Sequence, residues 1–522
     1  MSDPISLPPV AEALAGRHLV LTGATGFVGK VYLSLLLSRV PQIGRVTLLA
    51  RRGRFASAAD RLAHIFDTSP ALRPVRALAG ADLAGWLDAR VEVLDADLCA
   101  PACGLSPSEV DALAASADLV VHCAGLTDFE PAPLAAVESN VQGAMHVADL
   151  AARLRVPRLV HVSTCYVVGT RTGLTHEALT PGLTPLGAPF NPSEVVQALR
   201  ECHEEADRKA RAAKARALAR SLGWPNTYTL TKALAEHMLA QRGDLKLAIL
   251  RPSIIECARS FPLRGWNEGL NTSAPLMWAF RLGQRKLPMN PAVHFDVIPV
   301  DMVARRMLGL TVAHLHDAAP AVAQLATSST HPLPLGRAIE LQNLTERRMA
   351  AQPGKPMLRR LMSHLDCRAG QGLGPEHARQ LTTAISAGLS AIQLPQGFPG
   401  RKAVNRAVAD AAFGVDQVTR MIRRIERMWQ MYRPFVLEHD WVFSTVQAQA
   451  ALARLHPSDA DLADPAPDLC WRDFWLNTQG PGIERWAFPI LAGQEPPLDA
   501  ESTPPLQLGQ ANTRQARAEG AA

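Results

Sequence analysis

Tyr228 and Lys232 stand four residues apart in Tyr228-Thr229-Leu230-Thr231-Lys232, in a chain with only four tyrosines. On a helix that spacing places the phenol and the ammonium on one face. A free phenol titrates near 10 and a neighbouring cation lowers that value, so the pair is suited to exchanging a proton with a reacting oxygen near neutral pH. A hydroxyl able to hydrogen-bond the same oxygen is offered by Val162-Ser163-Thr164-Cys165-Tyr166, with Thr164 favoured and Ser163 second. Together these groups describe carbonyl reduction, with hydride added at carbon and a proton at oxygen.

Hydride needs a carrier, and Thr22-Gly23-Ala24-Thr25-Gly26-Phe27-Val28-Gly29-Lys30 supplies a place for one. The order strand, GxxGxxG, helix is that of a dinucleotide turn, in which glycines permit a tight bend and bring a pyrophosphate to the helix N-terminus. Thr22, Gly23, Thr25, Gly26, Phe27, Val28 and Gly29 are the candidate contacts. A nucleoside triphosphate loop is excluded: the first glycine comes one residue too early, and Val31 replaces the metal-binding hydroxyl. Arg51 and Arg52 follow the second strand, where an NAD-binding protein places an acid for the ribose. Guanidiniums pair well with a 2′-phosphate, so the cofactor expected is NADPH. Asp97 and Leu98 are placed to flank the adenine, Ala124 and Gly125 to pass the ribose and nicotinamide, and Asn140 to orient a water or the lysine.

Six short apolar runs have to present these groups: His18-Thr22, Val46-Ala50, Val91-Leu94, Leu119-Cys123, Leu159-Val162 and Leu247-Leu250. They alternate with helical stretches, the pattern of a parallel sheet buried on both faces. The fold expected is α/β, a Rossmann-type doubly wound parallel sheet with inserted substrate segments. Its carboxyl edge, where such sheets bind ligands, collects the glycine turn, the arginines and the hydroxyl pair. The insertions are Thr170-Asn226 and Glu256-His294, both candidates for a substrate lid. The first carries a charged helix expected from Pro192 to Ser221, with Asn191 as N-cap, Pro192 at the first helical position and Glu194 placed for a capping box.

After Val322 the strand signal fades, and from Arg337 the chain reads as mostly helical. The expected organisation is a flexible N-terminus over 1–15, an NADPH-binding reductase domain over 16–330, a helical C-terminal domain over 331–494 and a disordered tail over 495–522. Val415, Val418, Met421, Ile422, Ile425, Met428, Trp429 and Tyr432 share one face of a basic helix over Val415-Val436. That helix is either packed in a core or laid on a membrane surface to gather lipidic substrate, so peripheral membrane contact stays open.

The hydrophobic fraction of 48% and charged fraction of 20% are those of a globular chain, and 522 residues exceed what one core usually organises. The net charge of +6 is scattered, which argues against nucleic acid. Eight cysteines lie apart, and Cys99 and Cys103 have the wrong separation for a CxxC site, so reduced thiols in a cytoplasmic protein are expected. No leader pattern opens the chain, and no stretch reaches the roughly 18 apolar residues of a membrane span. Sixteen histidines show no metal-ligand spacing and no GxSxG elbow occurs, so neither metal hydrolysis nor serine acylation is supported.

These motifs resemble the extended short-chain dehydrogenase/reductase superfamily and, within it, the alcohol-forming fatty acyl-CoA reductases. TGATGFVGK at Thr22-Lys30, HVSTCYV at His161-Val167, YTLTKALAE at Tyr228-Glu236, LRPSII at Leu250-Ile255, GWNEGL at Gly265-Leu270 and FDVIPVD at Phe295-Asp301 are similar to that family's reductase domain. YRPFV at Tyr432-Val436 and the words within Trp471-Trp486 resemble its helical C-terminal domain. The resemblance runs from about residue 15 to 490, matches Arg337-Gly400 poorly, and has Cys165 where the family commonly has Ala. It implies that Tyr228 and Lys232 serve the reduction, that Lys232 also contacts the cofactor ribose, and that Thr164 assists. It further implies a long-chain acyl-CoA substrate taken by two NADPH, through an aldehyde, to a primary alcohol. A thioester reductase that releases aldehyde, and a sugar-nucleotide or sterol dehydrogenase using the same Tyr-Lys apparatus, are the alternatives. A cofactor sensor without catalysis predicts a damaged Tyr-Lys pair, and here the pair is intact.

Overall fold

The computed structural model describes residues 6–269, 286–355, 357–369, 429–463 and 467–491, with isolated positions at 273, 274, 277 and 494 and between 380 and 426. Its described residues within Met1–Ala274, Asp296–Pro332 and Trp441–Ala522 form one compact unit, and those within Pro275–Phe295 and Leu333–Asp440 a second.

The first unit holds seven strands, β1 (His18–Thr22), β2 (Arg45–Ala50), β3 (Val91–Asp95), β4 (Leu119–His122), β5 (Arg158–Val162), β6 (Lys246–Pro252) and β7 (Val322–Leu325). They pair in parallel in the order β7-β6-β5-β4-β1-β2-β3. The six strands read from the sequence are all present, within two residues at each end. The seventh lies where the strand signal was expected to fade, because Gln324 interrupts its apolar run. That side chain is fully buried and donates to the Thr175 carbonyl at 3.2 Å.

Helices α1 (Phe27–Arg39), α2 (Ala58–Thr68), α3 (Gly143–Ala152), α4 (Thr227–Ala240) and α5 (Val300–Leu315) cover the sheet. α1 packs on α5, where the Tyr32 and Thr311 hydroxyls meet at 3.1 Å, and α3 packs on α4. Every residue of β1 is buried, as strands covered on both faces require, and each fully buried Leu or Val contributes about 1.5–3 kcal/mol. Strand order reverses between β4 and β1, so the crevice at their carboxyl ends is the expected ligand site.

Three expectations change. The charged helix is two helices, Pro192–Glu201 and Arg208–Ser221, with Asp207 accepting from the Lys209 and Ala210 amides at the second start. Asp207 competes for these amides as an N-cap, which ends the continuity that composition alone implied. The described part of the N-terminus packs into the fold: Leu7, Val10, Ala13 and Leu14 are buried, and the Val10 amide donates to Asp459 at 2.8 Å. The described residues from Trp441 onward belong to the unit that holds the sheet rather than completing a helical domain begun at 331. Trp441–Phe443 pairs in parallel with Gly173–Thr175, and Arg39 binds both Asp459 and Asp461 at 2.9 Å. The buried Glu177 carboxylate accepts from the Gln324, Gln447 and Ala448 amides at 2.8, 2.5 and 3.0 Å.

The second unit contains the helices Leu335–Ala350 and Met357–Ser363 and a two-residue parallel pairing of Lys286–Leu287 with Arg368–Ala369. Nine of the 22 residues of the helix expected over Val415-Val436, 13 of the 39 in Glu256-His294 and the whole tail over 495–522 lie outside the described residues. No described helix is long and apolar enough to cross a membrane.

Candidate active site

The glycine turn opens the crevice. Gly23 has φ +79°, and a Cβ there would stand 2.6 Å from the Ala124 nitrogen, while a Cβ on Gly29 would stand 2.1 Å from the Gly23 carbonyl oxygen. Only glycine satisfies both demands. Gly26 caps α1 without a side-chain acceptor, and Thr25, Gly26, Phe27 and Val28 keep their surface open. An uncapped helix start beside an open turn fits a pyrophosphate, so these residues can hold a dinucleotide. Thr22 is placed differently from expectation. Its buried hydroxyl meets His122 Nδ1 at 2.7 Å and accepts from the Ala124 amide at 3.2 Å, so it braces the end of β4 from within.

Beyond β2 and β3 lies an open groove of about 990 Å³ lined by Arg51, Arg52, Arg54, Phe55, Arg61, Asp95 and Asp97. Arg61 donates to the Arg51 carbonyl at 2.9 Å, and no acidic partner is recorded for Arg51, Arg52 or Arg54 among the described residues. Arg54 and Arg61 were missed by the motif reading, although four arginines within eleven residues were visible. Asp97 lines this groove, whereas Leu98 turns inward to pack beside Gly143 and its carbonyl meets His146 at 2.9 Å.

Across the crevice, α4 carries the Tyr-Lys pair. Asn226 caps the helix by accepting from the Thr229 amide at 2.9 Å. Tyr228, partly exposed, lies beside Thr164, which follows β5 and whose hydroxyl donates to the Pro252 carbonyl and accepts from the Tyr166 amide, both at 3.4 Å. Ser163 follows the end of β5 directly, and its buried hydroxyl has no partner among the described residues. Lys232 is buried and donates to the Val162 carbonyl at 2.7 Å. Gly125 lies close by: a Cβ on it would be 3.8 Å from Lys232 Nζ and 3.2 Å from Asn140 Oδ1. Asn140 ties this loop to α4, accepting from the Leu126 amide at 2.7 Å and donating to the Leu126 carbonyl at 3.0 Å and to Thr231 at 3.1 Å. It orients Thr231 and the loop after β4 rather than the lysine itself.

The electrostatics differ from the simple picture of an ammonium acidifying a phenol. Burial dominates at both groups, pushing Tyr228 up to about 12, against the pull of the neighbouring Thr164 hydroxyl, and Lys232 down to about 8. The Lys232 charge is directed at a carbonyl, so the phenol stays protonated at neutral pH. Beneath the lysine runs a row that the motifs did not reveal. Thr22, His122 and His161 are register neighbours on β1, β4 and β5, with the imidazoles 5.2 Å apart. Burial and the Lys232 charge hold His122 down to about 3 and His161 well below its ordinary value, so both are neutral.

The segment after β5 walls a cavity of about 430 Å³ with Val167, Leu174, Leu179, Leu183 and Trp224, alongside the buried Arg251–Glu236 pair. Thr164, Tyr228 and Lys232 do not line it. No described cluster of His, Cys, Asp or Glu is suited to a metal.

Residues 21–307 match the NAD-binding family described as male sterility protein. The chain is 27% identical over 347 residues to fatty acyl-CoA reductase 2, chloroplastic, of Arabidopsis thaliana, covering 62% of this chain and 56% of that one. It is 28% identical to the alcohol-forming fatty acyl-CoA reductase of Simmondsia chinensis, covering 64% and 71%. The alignment thus spans little more than half of the Arabidopsis protein. The terminal R domain from the myxalamid PKS-NRPS biosynthetic pathway superposes with a TM-score of 0.51 at 18% identity, over 86% of this chain and 87% of that one, which shows a shared fold.

Proposed function

The chain belongs to the NAD-binding male sterility protein family, and from that premise we propose that it is an NADPH-dependent reductase taking long-chain acyl-CoA through an aldehyde to a primary alcohol. The observation that carries the reading is Tyr228 beside Thr164 and one helical turn from a buried Lys232, set across the crevice from an open glycine turn. Family membership and the names of the curated relatives support the acyl-CoA substrate.

A bound nicotinamide supplies hydride. The protein's own groups handle oxygen and protons. Thr164 Oγ1 and Tyr228 Oη would hydrogen-bond the oxygen on which charge develops, and a phenol held protonated is the acid that an alkoxide needs. Lys232, with a value near 8, is mostly an ammonium at neutral pH and favours the phenolate left after proton donation. In balance, one thioester, two hydrides and two protons give one primary alcohol and one free thiol. The test is to supply purified protein with NADPH and a panel of acyl-CoAs and to measure NADPH consumed, thiol, aldehyde and alcohol. Two NADPH per thiol with little free aldehyde is expected. One NADPH per thiol, with added aldehyde left unreduced, overturns the alcohol-forming reading. Aldehyde reduction without thiol release overturns the thioester reading.

The arginine groove supports NADPH over NADH by at least about tenfold in kcat/KM, roughly 1.4 kcal/mol. Changing Arg51 and Arg52 together to Ala should erode that ratio by weakening use of NADPH more than of NADH. Equal use of both cofactors by the unaltered protein would refute the assignment.

A further inference from the structure

The GWNE word at Gly265-Glu268 takes no part in the chemistry above, yet its side chains reach the dinucleotide turn. The segment Cys257–Glu268 leaves the short strand Ile254–Glu256, which pairs in parallel with Val297–Pro299. It is then pinned from two sides. Asp301, at the start of α5, accepts from the amides of Arg259, Ser260 and Phe261 at 2.8, 2.9 and 3.1 Å and from the Ser260 hydroxyl at 2.9 Å. Gly265, at φ +74°, sits so close to the C-terminal segment that a Cβ would lie 2.9 Å from the Thr478 carbonyl oxygen. The loop is closed internally by Gly265 N–H to Ala258 O at 2.8 Å and Ala258 N–H to Trp266 O at 2.9 Å.

A loop so held presents two groups to α1. The buried Trp266 ring lies 5.1 Å from Phe27, the first residue of α1, tilted by 32°. Glu268 accepts from Lys30 Nζ at 2.5 Å, and the Lys30 side chain is 8% exposed. Phe27 and Lys30 occupy the first turn of the helix whose N-terminus faces the crevice, so both contacts are made by side chains of the turn whose amides a diphosphate would meet. An ion pair with one partner sequestered and an aromatic contact in the same turn resist rotation of that turn, and a few tenths of an ångström matter where amides must converge on an anion.

We propose that Trp266 and Glu268 are positioning residues for the cofactor: they clamp the first turn of α1 from the side and hold its amides in the arrangement that receives the dinucleotide diphosphate. The clamp rests on the cofactor reading above. It acts on binding and leaves the proton-transferring groups alone.

The experiment measures NADP⁺ and NADPH dissociation constants by calorimetry or fluorescence, together with steady-state kinetics and thermal melts, for the full chain and four variants. Glu268→Gln keeps the volume and removes the charge; it should raise Kd about three- to fivefold, with kcat within twofold. Lys30→Met should do the same, and the double variant should be no weaker than either single one, because both remove one interaction. Trp266→Leu should raise Kd about tenfold, and Trp266→Phe, which keeps a ring against Phe27, should restore most of it. A purely structural role would lower the melting temperature with the Kd of the folded protein unchanged, and that result overturns the clamp. Tighter binding in Glu268→Gln also overturns it, since Glu268 would then be competing with the diphosphate for Lys30. If the unaltered chain binds neither dinucleotide, the cofactor reading fails and the clamp with it, whereas normal binding by all variants sinks the clamp alone.

Discussion

Tyr228→Phe is expected to lower kcat by about 10²–10⁴-fold, the range for loss of a positioned general acid, while cofactor binding changes less than about threefold. The substitution removes one hydroxyl and keeps the ring, which lies 5.9 Å from Phe129. What is lost is the proton donor. Because burial holds the phenol near 12, the unaltered enzyme starts with the acid form fully populated, and its turnover should not fall on the acid side through titration of this group. Thr164→Val should lower kcat in the same direction, by less, because one hydrogen bond to the oxyanion goes while the acid stays. Ser163→Ala should be close to unaltered, since Thr164 and not Ser163 acts on the Tyr228 phenol. The measurement is kcat and KM for each variant beside dinucleotide Kd. Near-normal turnover by Tyr228→Phe removes it from the mechanism, and a larger loss in Ser163→Ala than in Thr164→Val reverses the assignment of the hydroxyl.

The parts of this arrangement that were legible in the sequence are those whose physics is local. A strand buried on both faces leaves a short apolar run, and a tight turn beneath a helix start leaves glycines at Gly23, Gly26 and Gly29. The i, i+4 spacing carries Tyr228 and Lys232 to one face wherever the helix lies. The parts that were not legible depend on residues far apart in the chain. Nothing near Val10 announces that Asp459 will accept its amide, and nothing near Trp441 announces a strand partner at Gly173–Thr175. Gln324 hid β7 because its burial is made tolerable by the Thr175 carbonyl. Weighing Ser163 against Thr164 needed Thr164's place beside Tyr228, and the titration of Tyr228 needed its burial. A pair of motif letters carries neither.

Long-range burial also sets the second large expected effect, at Glu236. Its carboxylate and the Arg251 guanidinium are 3% and 5% exposed and share hydrogen bonds of 3.0, 3.2 and 2.5 Å, with Arg251 also donating to the Ala178 carbonyl at 3.2 Å. Glu236→Gln leaves a buried guanidinium with a neutral partner, and breaking such a pair from one side costs about 3–5 kcal/mol. The same carboxylate lies one turn beyond Lys232. Burial lowers the lysine to about 8, and Glu236 is the leading influence raising it. Removing that charge must lower it further, so the alkaline limb expected in turnover near pH 8 should move to lower pH in Glu236→Gln. The linkage sign follows. Because Lys232 titrates lower when folded than the ordinary 10.5, its contribution to stability is present above 10.5 and is lost as pH falls through about 8. A lower folded value in the variant carries that loss to lower pH, so its stability deficit should be smaller at pH 7 than at pH 6, by whatever part Lys232 supplies. Urea unfolding between pH 6 and 9, beside pH–rate profiles, checks both halves. A variant as stable as the unaltered chain would show that the Arg251 pair carries no net stabilisation. An unmoved alkaline limb would show that Glu236 has no hold on Lys232.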